Sequence, residues 1–225
     1  MPELPEVETI RRGLNKLILR EKIEKIDILN DKSFIGDPIL GVVVNLRRFG
    51  KALIIDLDNA YSYIIHLRMT GQLIYDQNSA KAKPPDPSLY LNSSSRFAAG
   101  HPSENFVSNL PNKQTRVILE FENGMLYFND QRKFGFIKSV KTAEVENDNF
   151  IKKLAKEPWQ MSADELYKKL QKHPKSSVKA AILDQTIICG LGNIYADESL
   201  FISKIHPERK SGSLTKTEAK NLLFA

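Results

Sequence analysis

The chain opens Met1-Pro2-Glu3, a start that offers chemistry of its own. Methionine is trimmed from in front of small residues, proline included, which leaves Pro2 as the N-terminus. Within a chain, proline has no N–H and no nucleophilic nitrogen. At a terminus it is a secondary amine that sheds its proton not far above neutrality, as other α-amino groups do. Such an amine adds to an aldehydic carbon and forms an iminium, an electron sink for elimination. Glu3 and Glu6 lie within the same few residues and are available for proton transfer. Proline is also a favoured helix opener, and taken alone that is its commoner use. Lys51, beside the Arg47-Arg48-Phe49-Gly50 corner, adds a cation, although in isolation it reads equally as a surface lysine next to a turn.

The elements that must hold these residues fall into two groups. Val7, Ile10, Leu14, Leu17 and Ile18 recur at helical spacing, and acidic residues occupy the early turns, where the helix dipole favours them. Strand-like runs follow at Lys22–Leu29, Gly41–Arg47, Lys51–Leu57, Tyr61–Leu67, Leu73–Tyr75, Arg116–Phe121, Met125–Phe128 and Phe134–Val140. Asn123-Gly124 predicts a type I′ hairpin turn. Residues 76–114, rich in Pro, Ser and Asn, predict an exposed loop. From about residue 148 the pattern turns helical, and Ser162…Glu165 and Thr215…Glu218 both fit a capping box. The expected fold is therefore α+β, with an N-terminal β-rich domain behind a leading helix (1–140) and a helical domain (148–225).

The 225 residues carry 33 Lys/Arg and 27 Asp/Glu, a net charge of +6. Residues 151–225 hold 13 Lys/Arg against 8 Asp/Glu, which leaves +5 of that excess in the helical part. A basic excess concentrated in one segment suits a polyanion, because cations on phosphates release condensed counterions; a solvated lysine-rich surface is the plainer alternative. One cysteine, Cys189, excludes an internal disulfide and any multi-cysteine metal site. No run of about eighteen apolar residues reads as a membrane span, and no signal peptide is evident. A cytoplasmic protein is expected.

Five blocks carry a family resemblance. Pro2-Glu3-Leu4-Pro5-Glu6-Val7-Glu8-Thr9 resembles the start of the bacterial formamidopyrimidine-DNA glycosylases almost letter for letter. Arg48-Phe49-Gly50-Lys51 resembles the family's strand-turn lysine, and His66-Leu67-Arg68-Met69-Thr70-Gly71 its HLxMxG segment. Asp130-Gln131-Arg132-Lys133-Phe134-Gly135 is similar to the DxRRFG loop, with Lys133 in place of an arginine. Gly190-Leu191-Gly192-Asn193-Ile194-Tyr195-Ala196-Asp197-Glu198 resembles the GxGNIYAxE signature of a helix–two-turn–helix module. The resemblance implies an N-terminal β-sandwich followed by that module. It implies excision of oxidised purines, formamidopyrimidines and 8-oxoguanine, from double-stranded DNA, then a nick at the abasic site.

Residue by residue, the same resemblance implies Pro2 as the nucleophile at C1′ and Glu3 as the acid/base at the sugar. Lys51 would act as cation and proton donor. Met69, Arg132 and Phe134 would form a wedge that fills the gap left by an everted base. Gln114 stands where the family has a DNA-approaching histidine. Lys175 and Asn193 would meet phosphate, and Lys179 would reach toward the lesion. Family members continue past the module into a β-hairpin zinc finger with four cysteines; this chain ends at Ala225, so no zinc and no other cofactor is expected in it. A monomer near the nucleoid is expected. The alternative this leaves is a truncated, non-catalytic DNA-binding relative, with Leu222, Leu223 and Phe224 uncovered in the last helix. An endonuclease VIII-type preference for oxidised pyrimidines fits less well, given Leu4 and the Met69/Arg132/Phe134 set.

Overall fold

A computed structural model describes residues 1–77, 96–100 and 109–225. The described chain separates into two compact units, Met1–Asn147 and Asp148–Ala225.

The first unit begins with helix α1 (Leu4–Ile18), which buries Leu4, Val7, Ile10, Leu14 and Ile18 along one stripe. Among the described residues ten strands follow: β1 (Lys22–Ile28), β2 (Phe34–Ile35), β3 (Gly41–Phe49), β4 (Ala52–Leu57), β5 (Tyr61–His66), β6 (Gly71–Gln77), β7 (Arg96–Ala99), β8 (Thr115–Phe121), β9 (Gly124–Asp130) and β10 (Phe136–Lys141). They pair in the order β2-β10-β5-β4-β3-β1-β8-β9-β6-β7. The ladder narrows at β1–β3, where Lys22 pairs with Val42 and Ile23 with Gly41, so it divides there into two five-strand halves. Both halves contribute to one core, in which Leu53, Ile55, Tyr63 and Ile65 meet Leu73, Val117, Leu119 and Phe128 beneath Ile10 and Leu14. That shared interior makes the unit a β-sandwich behind a leading helix. Each of these fully buried aliphatic side chains contributes about 1.5–3 kcal/mol relative to an exposed one.

Two local expectations change. Residues 76–114 are not wholly loop, because β6 runs to Gln77 and Arg96–Ala99 forms the edge strand β7 on it. The Arg96 guanidinium donates to the Asp76 carboxylate at 2.7 Å, closing that edge. Four residues between polar stretches are too few for alternation to show. The rest of the expected loop, residues 78–95 and 101–108, lies outside the described residues. The β8–β9 hairpin turns on Glu122-Asn123, since Phe121 pairs with Gly124, and neither Asn123 nor Gly124 takes the positive φ of a type I′ turn. Gly124 is demanded by proximity instead: a Cβ there would lie 2.5 Å from the Asp76 carbonyl oxygen and 2.7 Å from the Tyr75 ring.

The second unit packs α2 (Ala163–Gln171), α3 (Val178–Leu183), α4 (Asn193–Ile202) and α5 (Lys216–Phe224) around Leu166, Leu170, Val178, Ile182, Ala196, Leu200 and Leu222. Thr215 and Glu218 form a complete capping box on α5. On α2 half of the box is made: Ser162 accepts the Glu165 N–H, while the Glu165 carboxylate pairs with Lys156 at 3.0 Å. Of the three apolar residues expected to be uncovered at the end of α5, Leu222 is buried, Leu223 is half-buried against the core, and Phe224 is exposed. Among the described residues no helix is long and apolar enough to cross a membrane.

Candidate active site

Pro2 is buried, directly ahead of Glu3, which is 2% exposed at the N-cap of α1. The Glu6 carboxylate accepts the Glu3 N–H at 2.8 Å, so the helix start is closed by its own third residue. One turn on, Glu8 gathers Arg11, Arg12 and Arg48 at 2.7, 2.8 and 3.4 Å. Hydrogen bonding from Arg11, reinforced by Arg12 and Arg48, holds its carboxyl at about 2, well below the usual carboxylate range. Arg48 also donates to the Gly50 carbonyl at 2.7 Å. One guanidinium thus ties the helix bearing Pro2 and Glu3 to the β3–β4 corner, where Gly50 has φ 54° and Lys51 follows, 5% exposed. Lys51 is a buried cation at a braced turn, unlike the surface lysine that its sequence context allows.

His66, at the end of β5, is a site residue that motif reading passed over. It is 5% exposed, stacks on Phe136 at 6.0 Å, and accepts the Arg68 N–H on Nδ1 at 3.0 Å. Burial first, then the Arg68 and Lys51 cations, push it down to about 3. Near neutrality the ring is uncharged, and its proton sits on Nε2. A signal existed in the sequence, a histidine opening the HLxMxG block, but its burial beside two cations is a product of the fold. The pH dependence has a definite sign. As pH falls below the unfolded value of 6.5, the unfolded state binds a proton that the folded ring refuses until about 3. Stability should therefore fall between pH 6.5 and 4.5, before the depressed carboxyls of Glu8 and Glu218 begin to titrate in the unfolded chain. Chemical denaturation at several pH values should show this slope in wild type and a flatter one in His66→Gln; equal slopes would refute the assignment.

Met69 lies in the turn between β5 and β6, 42% exposed, and Phe134 is 57% exposed in the loop between β9 and β10. The Arg132 guanidinium stacks over the Phe134 ring at 5.0 Å. Asp130, 1% exposed at the end of β9, joins the two segments. Its carboxylate accepts the Thr70 hydroxyl, the Arg132 N–H at 3.1 Å and the Gly135 N–H at 2.7 Å. Gly71 allows the Met69 turn to close, because a Cβ there would stand 2.3 Å from the Leu67 carbonyl oxygen. Gln114 is half-buried at the start of β8, and its carbonyl accepts the Asp130 N–H at 2.9 Å, so it borders the same loop.

The remaining expected residues lie in the second unit. Asn193 is exposed at the first position of α4. The preceding turns are stapled by Gln185, whose side-chain oxygen accepts the Gly190 N–H at 2.9 Å while its amide nitrogen donates to the Leu183 and Leu191 carbonyls at 2.8 and 2.9 Å. Nothing in the sequence pattern singled out Gln185. Lys175 is exposed ahead of α3. Lys179, on α3, is paired with Asp197 of α4 at 2.7 Å, so its cation is already shared. Cys189 is buried, and the described residues hold no group of three His, Cys, Asp or Glu that could bind a metal. The described residues do not fit a zinc site.

Two family models match the chain, the formamidopyrimidine-DNA glycosylase N-terminal domain over residues 1–137 and the formamidopyrimidine-DNA glycosylase H2TH domain over residues 154–225. A formamidopyrimidine-DNA glycosylase of Desulfitobacterium hafniense is 38% identical over 233 residues, covering 99% of this chain and 74% of that protein. The Ligilactobacillus salivarius relative is 36% identical, covering 99% and 73%. The Lactococcus lactis enzyme, solved non-covalently bound to DNA containing an abasic site, superposes with a TM-score of 0.80 at 28% identity, over 99% of this chain and 77% of that one. With both halves of the chain matched and its full length aligned to these relatives, the chain belongs to the formamidopyrimidine-DNA glycosylase family.

Proposed function

We propose that this chain, once Met1 is removed, excises oxidised purines from double-stranded DNA through the Pro2 amine and then nicks the strand. The observation that carries the reading is the buried Pro2-Glu3 pair at the head of α1, braced through Glu8 and Arg48 to the corner holding Lys51. The Pro2 nitrogen lone pair attacks C1′, the bond from C1′ to the base nitrogen breaks, and the base leaves with a proton. The amine gives up its proton, the C1′–O4′ bond opens with a proton delivered to O4′, and an iminium at C1′ results. Glu3 is the carboxyl placed to move protons at the sugar. Loss of a C2′ proton into that electron sink expels the 3′ phosphate by β-elimination, with Lys51 as proton donor and cation near the phosphates.

Delivery of the base relies on other residues. Met69, Arg132 and Phe134 are exposed apolar and planar groups suited to occupying a vacated stack, with Gln114 beside their loop. Lys175 and Asn193 supply phosphate contacts from the helical unit, and Lys179 joins them when it exchanges Asp197 for DNA. Solved relatives were captured with abasic-site DNA, which agrees with this substrate class. Incubation of the processed chain with abasic duplex DNA and borohydride should yield a covalent protein–DNA adduct, resolved by gel and mass spectrometry. No adduct, under conditions in which the Lactococcus lactis enzyme gives one, would refute the proposal.

A further inference from the structure

The geometry points to Thr70 and Asp130 as positioning residues that lock the Met69 turn to the Arg132–Phe134 loop, so that the two act as one rigid wedge. This rests on the wedge role proposed above. A side chain that holds bases apart is pushed back by the stacking it interrupts, so it must be supported from behind. Met69 and Phe134 are too exposed for packing to provide that support. Both segments also contain a non-glycine residue in the left-handed region, Arg68 at φ 52° and Lys133 at φ 60°. Such conformations persist where surrounding bonds impose them.

Those bonds converge on Asp130. Its carboxylate takes the Thr70 hydroxyl from one segment and the Arg132 and Gly135 N–H groups from the other. Thr70 Oγ1 in turn accepts the Arg132 N–H at 3.1 Å, which closes a ring of three residues. Arg116, 8% exposed, fixes the ring from beneath by donating to the Asp130 carbonyl at 2.8 Å and the Lys113 carbonyl at 3.0 Å. Neither Thr70 nor Asp130 needs to touch DNA for the ring to work. Without the Thr70 hydroxyl, the β6–β9 ladder would still pair Gly71 with Asp130, but the Met69 turn ahead of it would lose its side-chain tie to the Arg132–Phe134 loop.

The test compares wild type, Thr70→Val and Thr70→Ser on a duplex with 8-oxoguanine beside 2-aminopurine, read by stopped-flow fluorescence and single-turnover excision. Thr70→Val should slow both unstacking and excision about tenfold, while Thr70→Ser stays near wild type, since one charge-assisted hydrogen bond is at stake. Borohydride trapping on a single-stranded abasic oligonucleotide, which has no partner strand to unstack, should stay within about twofold for all three. Wild-type unstacking by Thr70→Val overturns the inference, as does a trapping loss equal to its excision loss. Failure of wild type to trap abasic DNA would bring down the functional reading and this inference together. Normal trapping with normal unstacking by Met69→Ala and Phe134→Ala would remove the wedge alone.

Discussion

A preparation whose Pro2 nitrogen is still in an amide bond, through retained Met1 or a residue left by a tag, is expected to excise no oxidised purine and to form no trapped adduct. In the amide the nitrogen lone pair is delocalised into the carbonyl and cannot attack C1′. Pro2 is buried, so any added residue also occupies the approach to it. Loss of a covalent nucleophile costs roughly a thousandfold or more in rate. Mass spectrometry should separate processed from unprocessed chains, and single-turnover cleavage of abasic DNA should follow the processed fraction alone. Equal rates would transfer the nucleophile's role to another amine, with Lys51, buried at the braced β3–β4 corner, the first to be tested.

What marked Pro2 as a candidate nucleophile was the octet around it rather than the residue itself, which suits a helix start equally well. The same holds for the proposed wedge. Methionine and phenylalanine between strands read as core, and only the fold shows Met69 and Phe134 turned outward. Strand positions were largely readable because β8 and β9 are short apolar runs rich in β-branched and aromatic residues, buried at nearly every position and bounded by turn residues. The edge strand β7 was not, since four residues carry no usable period, and the β8–β9 turn was misassigned by one residue because Gly124 answers to crowding rather than to φ. Residues that organise the site without joining the reaction were the least visible. Arg48 and Asp130 act through hydrogen bonds to Glu8 and Thr70, far away in sequence, and no local pattern encodes those; Gln185 staples nearby turns through a side chain that no motif marks.

This division between reacting and organising carboxyls can be tested within a single helical turn. Glu3→Gln keeps the volume and shape of a 2%-exposed side chain and removes its ability to exchange a proton. Base excision by this variant should fall by roughly a hundred- to ten-thousandfold, the usual contribution of a positioned acid/base, while thermal unfolding and DNA affinity change little. Glu6→Ala, which removes the acceptor oxygen, should behave in the opposite way. Glu6 is partly exposed and accepts the Glu3 N–H at 2.8 Å, so its replacement weakens a helix start and costs about 0.5–2 kcal/mol of stability. Its excision rate should drop only as far as a loosened Glu3 allows, by about tenfold or less. Single-turnover rates and melting temperatures on the two variants decide the matter. If Glu6→Ala loses activity as severely as Glu3→Gln without melting earlier, Glu6 is itself the proton-transfer group and Glu3 serves to shape the helix start.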